Sequence, residues 1–186
     1  KILGHWCTNN KSFDSKQYDS DCKKEEKNYW IRRFWIKNHT TKDYKMKKVL
    51  IVNSNYYKIV SNNLTINAKK LIPSKYSTSK IDVPGVFEIP IAIRRNIKGF
   101  DAFIALGCVI KGETPHFDLI CKSSFDAIIN ISINYNKPVG NGIITALNLN
   151  QALKRSSLDK NFLKPNKGVE AANAVIAILT NEPKNI

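Results

Sequence analysis

Long apolar runs are missing from this chain: the longest, Ala102–Ile110, has about half the roughly 18 residues that a membrane-spanning helix needs. No membrane partner is therefore expected. Cysteine is sparse, with Cys7, Cys22, Cys108 and Cys121 at irregular spacings, no CxxC pair, and three histidines for company. That excludes both a disulfide scaffold and a zinc-ligand pattern, and reduced thiols are the expectation. Acidic residues are few, 15 against 30 Lys and Arg, for a net charge of +15. Such an excess raises nucleic-acid binding as a rival function. Its distribution argues against that, because residues 1–48 hold 13 basic and 6 acidic side chains and residues 49–186 hold 17 and 9. A lysine and asparagine bias spread over the surface explains it better than a binding face. What the chain does have is a 42% hydrophobic fraction within 186 residues, enough for one cored domain and a tail.

Residues 1–45 read as that tail, a polar extension, and residues 46–186 as the domain. Thr8–Lys27 lacks an apolar period. Tyr29–Ile36, rich in aromatic and β-branched residues, is a candidate strand that needs a partner. No secretory or Arg-rich targeting pattern stands out, and the single methionine, Met46, falls where the domain begins. From there apolar runs alternate with helical spacings. Strands are expected at Val49–Val52, Ile81–Val83, Ala102–Val109 and Val139–Thr145. Helices are expected over Tyr57–Leu71, from about Phe87, over Phe117–Tyr135, from the capping residue Asn148 through Ser156, and over Pro165–Leu179. Right-handed βαβ crossovers of this length imply an α/β fold: a three-layer α/β/α sandwich around a four-stranded parallel sheet. Ligands of such folds bind beyond the carboxyl ends of the strands.

Two of those end loops carry chemistry. After the third strand the chain reads Lys111-Gly112-Glu113-Thr114-Pro115-His116. Gly112 is expected to relieve backbone sterics, Thr114 sits where helix N–H groups offer an anion site, and His116 can move protons near neutral pH or simply pack. In Val83-Pro84-Gly85-Val86-Phe87-Glu88, a sharp turn presents Phe87 and Glu88 at a helix start. Glu88 there either accepts hydrogen bonds from substrate hydroxyls or serves helix electrostatics. Arg155 and Lys167 add positive charge near the last two helices, as ligand contacts or as solvated surface charges.

The segments Val83–Pro90, Ala105–Asp118, Asn141–Thr145, Gln151–Arg155 and Asn166–Ala172 resemble lumazine synthases in order and spacing, over about residues 48–180. The resemblance implies a flavodoxin-like fold and the penultimate step of riboflavin biosynthesis. There 5-amino-6-ribitylaminopyrimidinedione condenses with 3,4-dihydroxy-2-butanone 4-phosphate to give 6,7-dimethyl-8-ribityllumazine, without cofactor or metal. It assigns proton transfer to His116 and phosphate anchoring to Arg155. Lys111, Gly112, Glu113 and Thr114 would form the phosphate loop, with Lys111 where the family usually has Arg. Phe87 and Glu88 would hold the ribityl chain, and Val109 and Ile110 would line the ring site. Asn141 would come from an adjacent subunit, while Lys167 and Glu170 assist the charge network. Asn55 stands where the family has a stacking aromatic, with Tyr56 beside it. That departure predicts weak turnover and admits an alternative, a weakened or inactive member acting as a ligand-binding or oligomeric scaffold. The resemblance further implies a homopentamer. The stretch Ser156–Asn166, long and carrying Lys160 and Lys164, favours a free pentamer over a sixty-subunit shell. The implied compartment is the cytoplasm or a plastid-type organelle.

Overall fold

Val49, Leu50, Ile51 and Val52 are all buried, so their strand must be covered on both faces, as in the interior of a parallel sheet. The computed structural model, which describes residues 46–159 and 166–181, meets that demand. Its elements run β1 (Lys48–Ser54), α1 (Lys58–Leu71), β2 (Ser77–Val83), α2 (Ile89–Asn96), β3 (Ala102–Ile110), α3 (His116–Asn134), β4 (Val139–Ala146), α4 (Leu149–Ser156) and α5 (Lys167–Thr180). The strands pair in parallel in the order β2-β1-β3-β4, the expected three-layer α/β architecture. The boundary expected at residue 45 and the candidate strand at 29–36 fall outside the described residues.

Alternation along the two central strands divides the core. Val49, Ile51, Ile104 and Leu106 pack with Val60, Leu64 and Ala68 of α1, Ala152 of α4, and Ala171, Ala172 and Val175 of α5. Leu50, Val52, Phe103 and Ala105 pack with Ile89 and Ile93 of α2 and Ile128 of α3. Each helix is delimited by local chemistry. Ile72, extended before Pro73, ends α1 behind Lys69 and Lys70. Pro90 lies in the first turn of α2, where its missing N–H costs nothing. Asn148 caps α4 by accepting from the Gln151 N–H at 3.0 Å, and Gln151 in turn accepts from the Leu147 N–H at 2.9 Å. Asn166 caps α5 through the Gly168 N–H at 2.8 Å.

Element ends shift by a residue or two from the sequence reading, and the starts of β2 and α2 differ as follows. β2 begins at Ser77, four residues earlier than expected, and α2 at Ile89 instead of about Phe87. β2 is an edge strand whose Ser77–Lys80 half is exposed, so backbone pairing with β1 holds it without any apolar pattern.

The exit of α2 is held from a distance. The Lys137 ammonium donates to the Ile97 carbonyl at 2.6 Å and to the Phe100 carbonyl, joining two connections 37–40 residues apart in sequence. Lys137→Met keeps the aliphatic stem and removes both bonds. It is expected to cost about 1.5–3 kcal/mol, seen as a lower denaturant midpoint at unchanged slope. An unshifted midpoint would show that solvent replaces the ammonium without loss.

Candidate active site

The strand order reverses between β1 and β3, and the crevice at such a point is where doubly wound sheets bind ligands. Here the loops after β1, β2 and β3 border a cleft of about 610 Å³. Tyr56 and Tyr57 come from the first loop, Phe87 and Glu88 from the second, and Val109, Ile110 and His116 from the end of β3 and the start of α3. Thus six residues expected at the site (Tyr56, Phe87, Glu88, Val109, Ile110 and His116) do share one cavity.

Glu88 folds back over its own turn. A Cβ on Gly85 would lie 2.8 Å from Glu88 Oε2, so only glycine leaves the carboxylate that position. The carboxylate has no hydrogen bond or ion pair among the described residues, and it lines two smaller cavities along α2 as well. His116 opens α3 and is exposed. No side chain caps that helix start, and among its first N–H groups that of Asp118 donates to the Pro115 carbonyl at 3.1 Å. The loop is exposed throughout and tied down by the Lys111 N–H, which donates to the Ala146 carbonyl at 2.8 Å. Gly112 does not supply the steric relief expected of it. Its φ is not positive and an added Cβ would meet nothing within 4 Å.

A second group of expected residues lies elsewhere. Arg155 on α4 and Lys167 and Glu170 on α5 form one network, with Arg155 Nη2 2.9 Å from Glu170 Oε1 and Lys167 Nζ 2.5 Å from Glu170 Oε2. Burial opposes ionisation of Glu170, but the Lys167 hydrogen bond and the charges of Lys167 and Arg155 outweigh it and hold the carboxyl below its ordinary range. Two cations, Arg155 and Lys167, thus converge on one carboxylate. These helices cover the other face of the sheet from α2 and α3, and none of the three residues lines the cleft. Asn141 is exposed on β4, its Oδ1 accepting from the Ile143 N–H at 3.0 Å. Asn55 is likewise exposed and outside the cleft lining, its N–H donating to the Val83 carbonyl at 2.9 Å.

The cleft also contains residues that sequence reasoning passed over: Tyr57, Cys108 and Ile120. Burial, with the Cys121 thiol adding to it, pushes the Cys108 thiol up to about 12, so it stays protonated and is a poor nucleophile. Cys108 alternates with Leu106 in the apolar pattern of β3, and only its place at the strand's carboxyl end distinguished it. Among the described residues no three His, Cys, Asp or Glu side chains converge as metal ligands would. No described helix is long and apolar enough to cross a membrane.

Comparison with known proteins gives a consistent answer. Residues 46–182 match the family model described as 6,7-dimethyl-8-ribityllumazine synthase. A protein of that name from Methylorubrum populi is 36% identical over 140 residues, 71% of this chain and 80% of the relative. One from Campylobacter jejuni subsp. doylei is 36% identical over 138 residues, 71% and 87% of the two chains. Another, from Campylobacter curvus, is 36% identical over 146 residues, 75% and 90%.

Proposed function

Because the chain belongs to the 6,7-dimethyl-8-ribityllumazine synthase family, a family of riboflavin biosynthesis, we propose that it joins 5-amino-6-ribitylaminopyrimidinedione to 3,4-dihydroxy-2-butanone 4-phosphate. The amine of the first condenses with the ketone of the second and releases water. Phosphate is then eliminated, and ring closure releases a second water to leave 6,7-dimethyl-8-ribityllumazine. The observation that carries this reading is the cleft of about 610 Å³ at the sheet's reversal point, apolar within and bordered by His116 and Glu88. Val109 and Ile110 take the ring, Phe87 and Glu88 the ribityl chain, and His116 moves the protons that elimination and closure require. Holding two reactants in register accounts for at most about 7–11 kcal/mol of the barrier, and proton shuttling for about 10²–10⁴-fold in rate.

The phosphate of the second substrate is assigned to Lys111, Gly112, Glu113, Thr114 and Arg155, with Lys167 and Glu170 setting the charge around Arg155. Within one subunit the Arg155 network and the cleft lie on different layers. That separation supports a site shared between copies, in which Asn141 and the Arg155 network of one subunit complete the cleft of the next. The assembly proposed is a homopentamer, free and not closed into a sixty-subunit shell. Light scattering tests it, since a particle on the order of a megadalton would overturn the free pentamer.

Incubation with both substrates, followed by the absorbance of the lumazine, tests the activity. Formation above the uncatalysed rate is the expected result. A folded protein that binds the substrates without forming product would support the alternative, a scaffold that has lost turnover, for which Asn55 outside the cleft is the one favouring observation.

A further inference from the structure

Away from the amino ends of the strands the charges of the domain cancel: the described residues there hold seven Lys and Arg and seven Asp and Glu. The excess sits at the amino ends, in the start of β1, the last turns of α1, α2 and α3, and the connections from those helices into β2, β3 and β4. That region holds nine basic residues and one acidic residue, Asp101. The even division of charge along the sequence thus hides an uneven one in space. The Asp101 carboxylate accepts from the Lys48 N–H at 2.7 Å, and Lys47 and Lys137 donate to the Leu179 and Ile97 carbonyls. Six other cations, Lys69, Lys70, Lys75, Arg94, Arg95 and Lys98, are exposed, and none of them enters an ion pair among the described residues. Arg94 lies over the Tyr135 ring, 4.5 Å from its centroid, which orients the guanidinium without neutralising it.

Helix dipoles do not account for this placement. The carboxyl end of a helix favours cations but carries only about half a charge. α1 and α2 bring two basic residues each in their last turns. α3 and α5 finish at the same end of the domain with none in theirs. Because α1 and α2 cover opposite faces of the sheet, with the starts of β1 and β2 between them, the six cations form a band across the end of the domain. A band suits an extended anion with closely repeated charges better than it suits a single phosphate. Of the residues flanking the six in sequence, Leu71 is the one exposed large hydrophobic, at 37%, which leaves little to insert into a bilayer.

We propose that this amino-end face binds the phosphate backbone of a nucleic acid irrespective of base sequence, at the opposite end of the strands from the cleft. Cations that neutralise phosphates release condensed counterions, so affinity falls steeply with salt, and six phosphates engaged on a duplex give a slope of log K against log salt of about −5.

Titration of the full chain into a short fluorescein-labelled DNA duplex, read by anisotropy at several salt concentrations, tests the face. Binding that weakens steeply with salt and is equal for two unrelated base sequences is the expected result. Lys69→Gln/Lys70→Gln and Arg95→Gln/Lys98→Gln should each reduce the slope by about two, at unchanged melting temperatures. The control is Lys58→Gln/Lys154→Gln, which removes the same charge from exposed positions away from this face and should bind as the wild type does. Absence of binding at low salt, or binding that both amino-end variants retain in full, would overturn the proposal. So would a control variant as weak as those two, since net charge alone would then govern binding. Attachment to phosphatidylserine vesicles or to poly-glutamate, without attachment to the duplex, would assign the face to a different partner and overturn it likewise.

Discussion

His116→Ala is expected to lower turnover by about 10²–10⁴-fold, the range over which a positioned proton-transfer group contributes, and to leave phosphate affinity nearly unchanged. The imidazole is exposed at the start of α3, in the cleft that also holds Val109 and Ile110. Its removal takes away a proton carrier without opening a hole in the core. Arg155→Ala should do the reverse. That side chain shares Glu170 with Lys167, and deleting a charged hydrogen-bond donor of this kind is worth about 1.5–3 kcal/mol. The loss should appear first as a raised KM for the phosphorylated substrate. Steady-state kinetics with each substrate varied in turn, together with phosphate inhibition constants, separates the two effects. If both substitutions lowered kcat and phosphate affinity in the same proportion, the division of labour between the cleft and the α4–α5 network would be wrong.

The largest expected effect on stability comes from a single methyl group. A Cβ at Gly140 would lie 2.2 Å from the Ala171 carbonyl oxygen and 2.9 Å from its carbon. Both are backbone atoms of α5, so no side chain can rotate away to make room. β4 cannot retreat either, since Gly140 is paired with Ile104 inside the parallel ladder. α5 would have to lift from the sheet and loosen Ala171, Ala172 and Val175 in the core. Gly140→Ala is therefore expected to cost about 3 kcal/mol or more, a fall in melting temperature of roughly 6–12 °C for a chain of this size. The matched control is Gly99→Ala, whose nearest contact would be the Asn96 carbonyl oxygen at 3.7 Å, an ordinary separation. Equal melting temperatures for the two variants would mean that the helix accommodates the methyl group by sliding.

Much of this architecture was legible because burial on both sides writes itself into composition. β1 and β3 are continuous apolar runs, and α1 repeats its apolar positions at Val60, Leu64 and Ala68. β2 was half hidden for the opposite reason: an exposed edge strand needs no apolar face, so only Ile81–Val83 carried a signal. The loops at the strand ends were also readable, since glycine, proline and a lone histidine cluster there. Three-dimensional juxtapositions were not. Arg155 and Glu170 are 15 residues apart, and their meeting depends on how α4 packs beside α5. Tyr57 looked like the first residue of a helix, which it caps, and nothing in its spacing announced that it lines the cleft. Asn55, singled out by its place in the sequence, proved to be a residue whose backbone, and not its side chain, is engaged with β2.

The strand order also dictates how the domain can be assembled in time. None of the four described strands can zip onto its neighbour through a hairpin. β1 pairs with β2, with partners about 30 residues apart (Lys48 with Ser77), and with β3, with partners just over 50 apart (Val49 with Ala102). Every rung of the ladder must therefore be won against the entropy of closing a long loop before any packing rewards it, which places the domain among slow folders. During synthesis β1, an apolar strand that is central in the finished sheet, leaves the ribosome well before β3 exists to cover its second edge. Of the described elements, α1, β2 and α2 precede β3 and can shield it. Polar outer residues (Lys69 and Lys70 at the end of α1, and Ser77 to Lys80 on β2) are of the kind that blunts an exposed sheet edge against pairing with other chains.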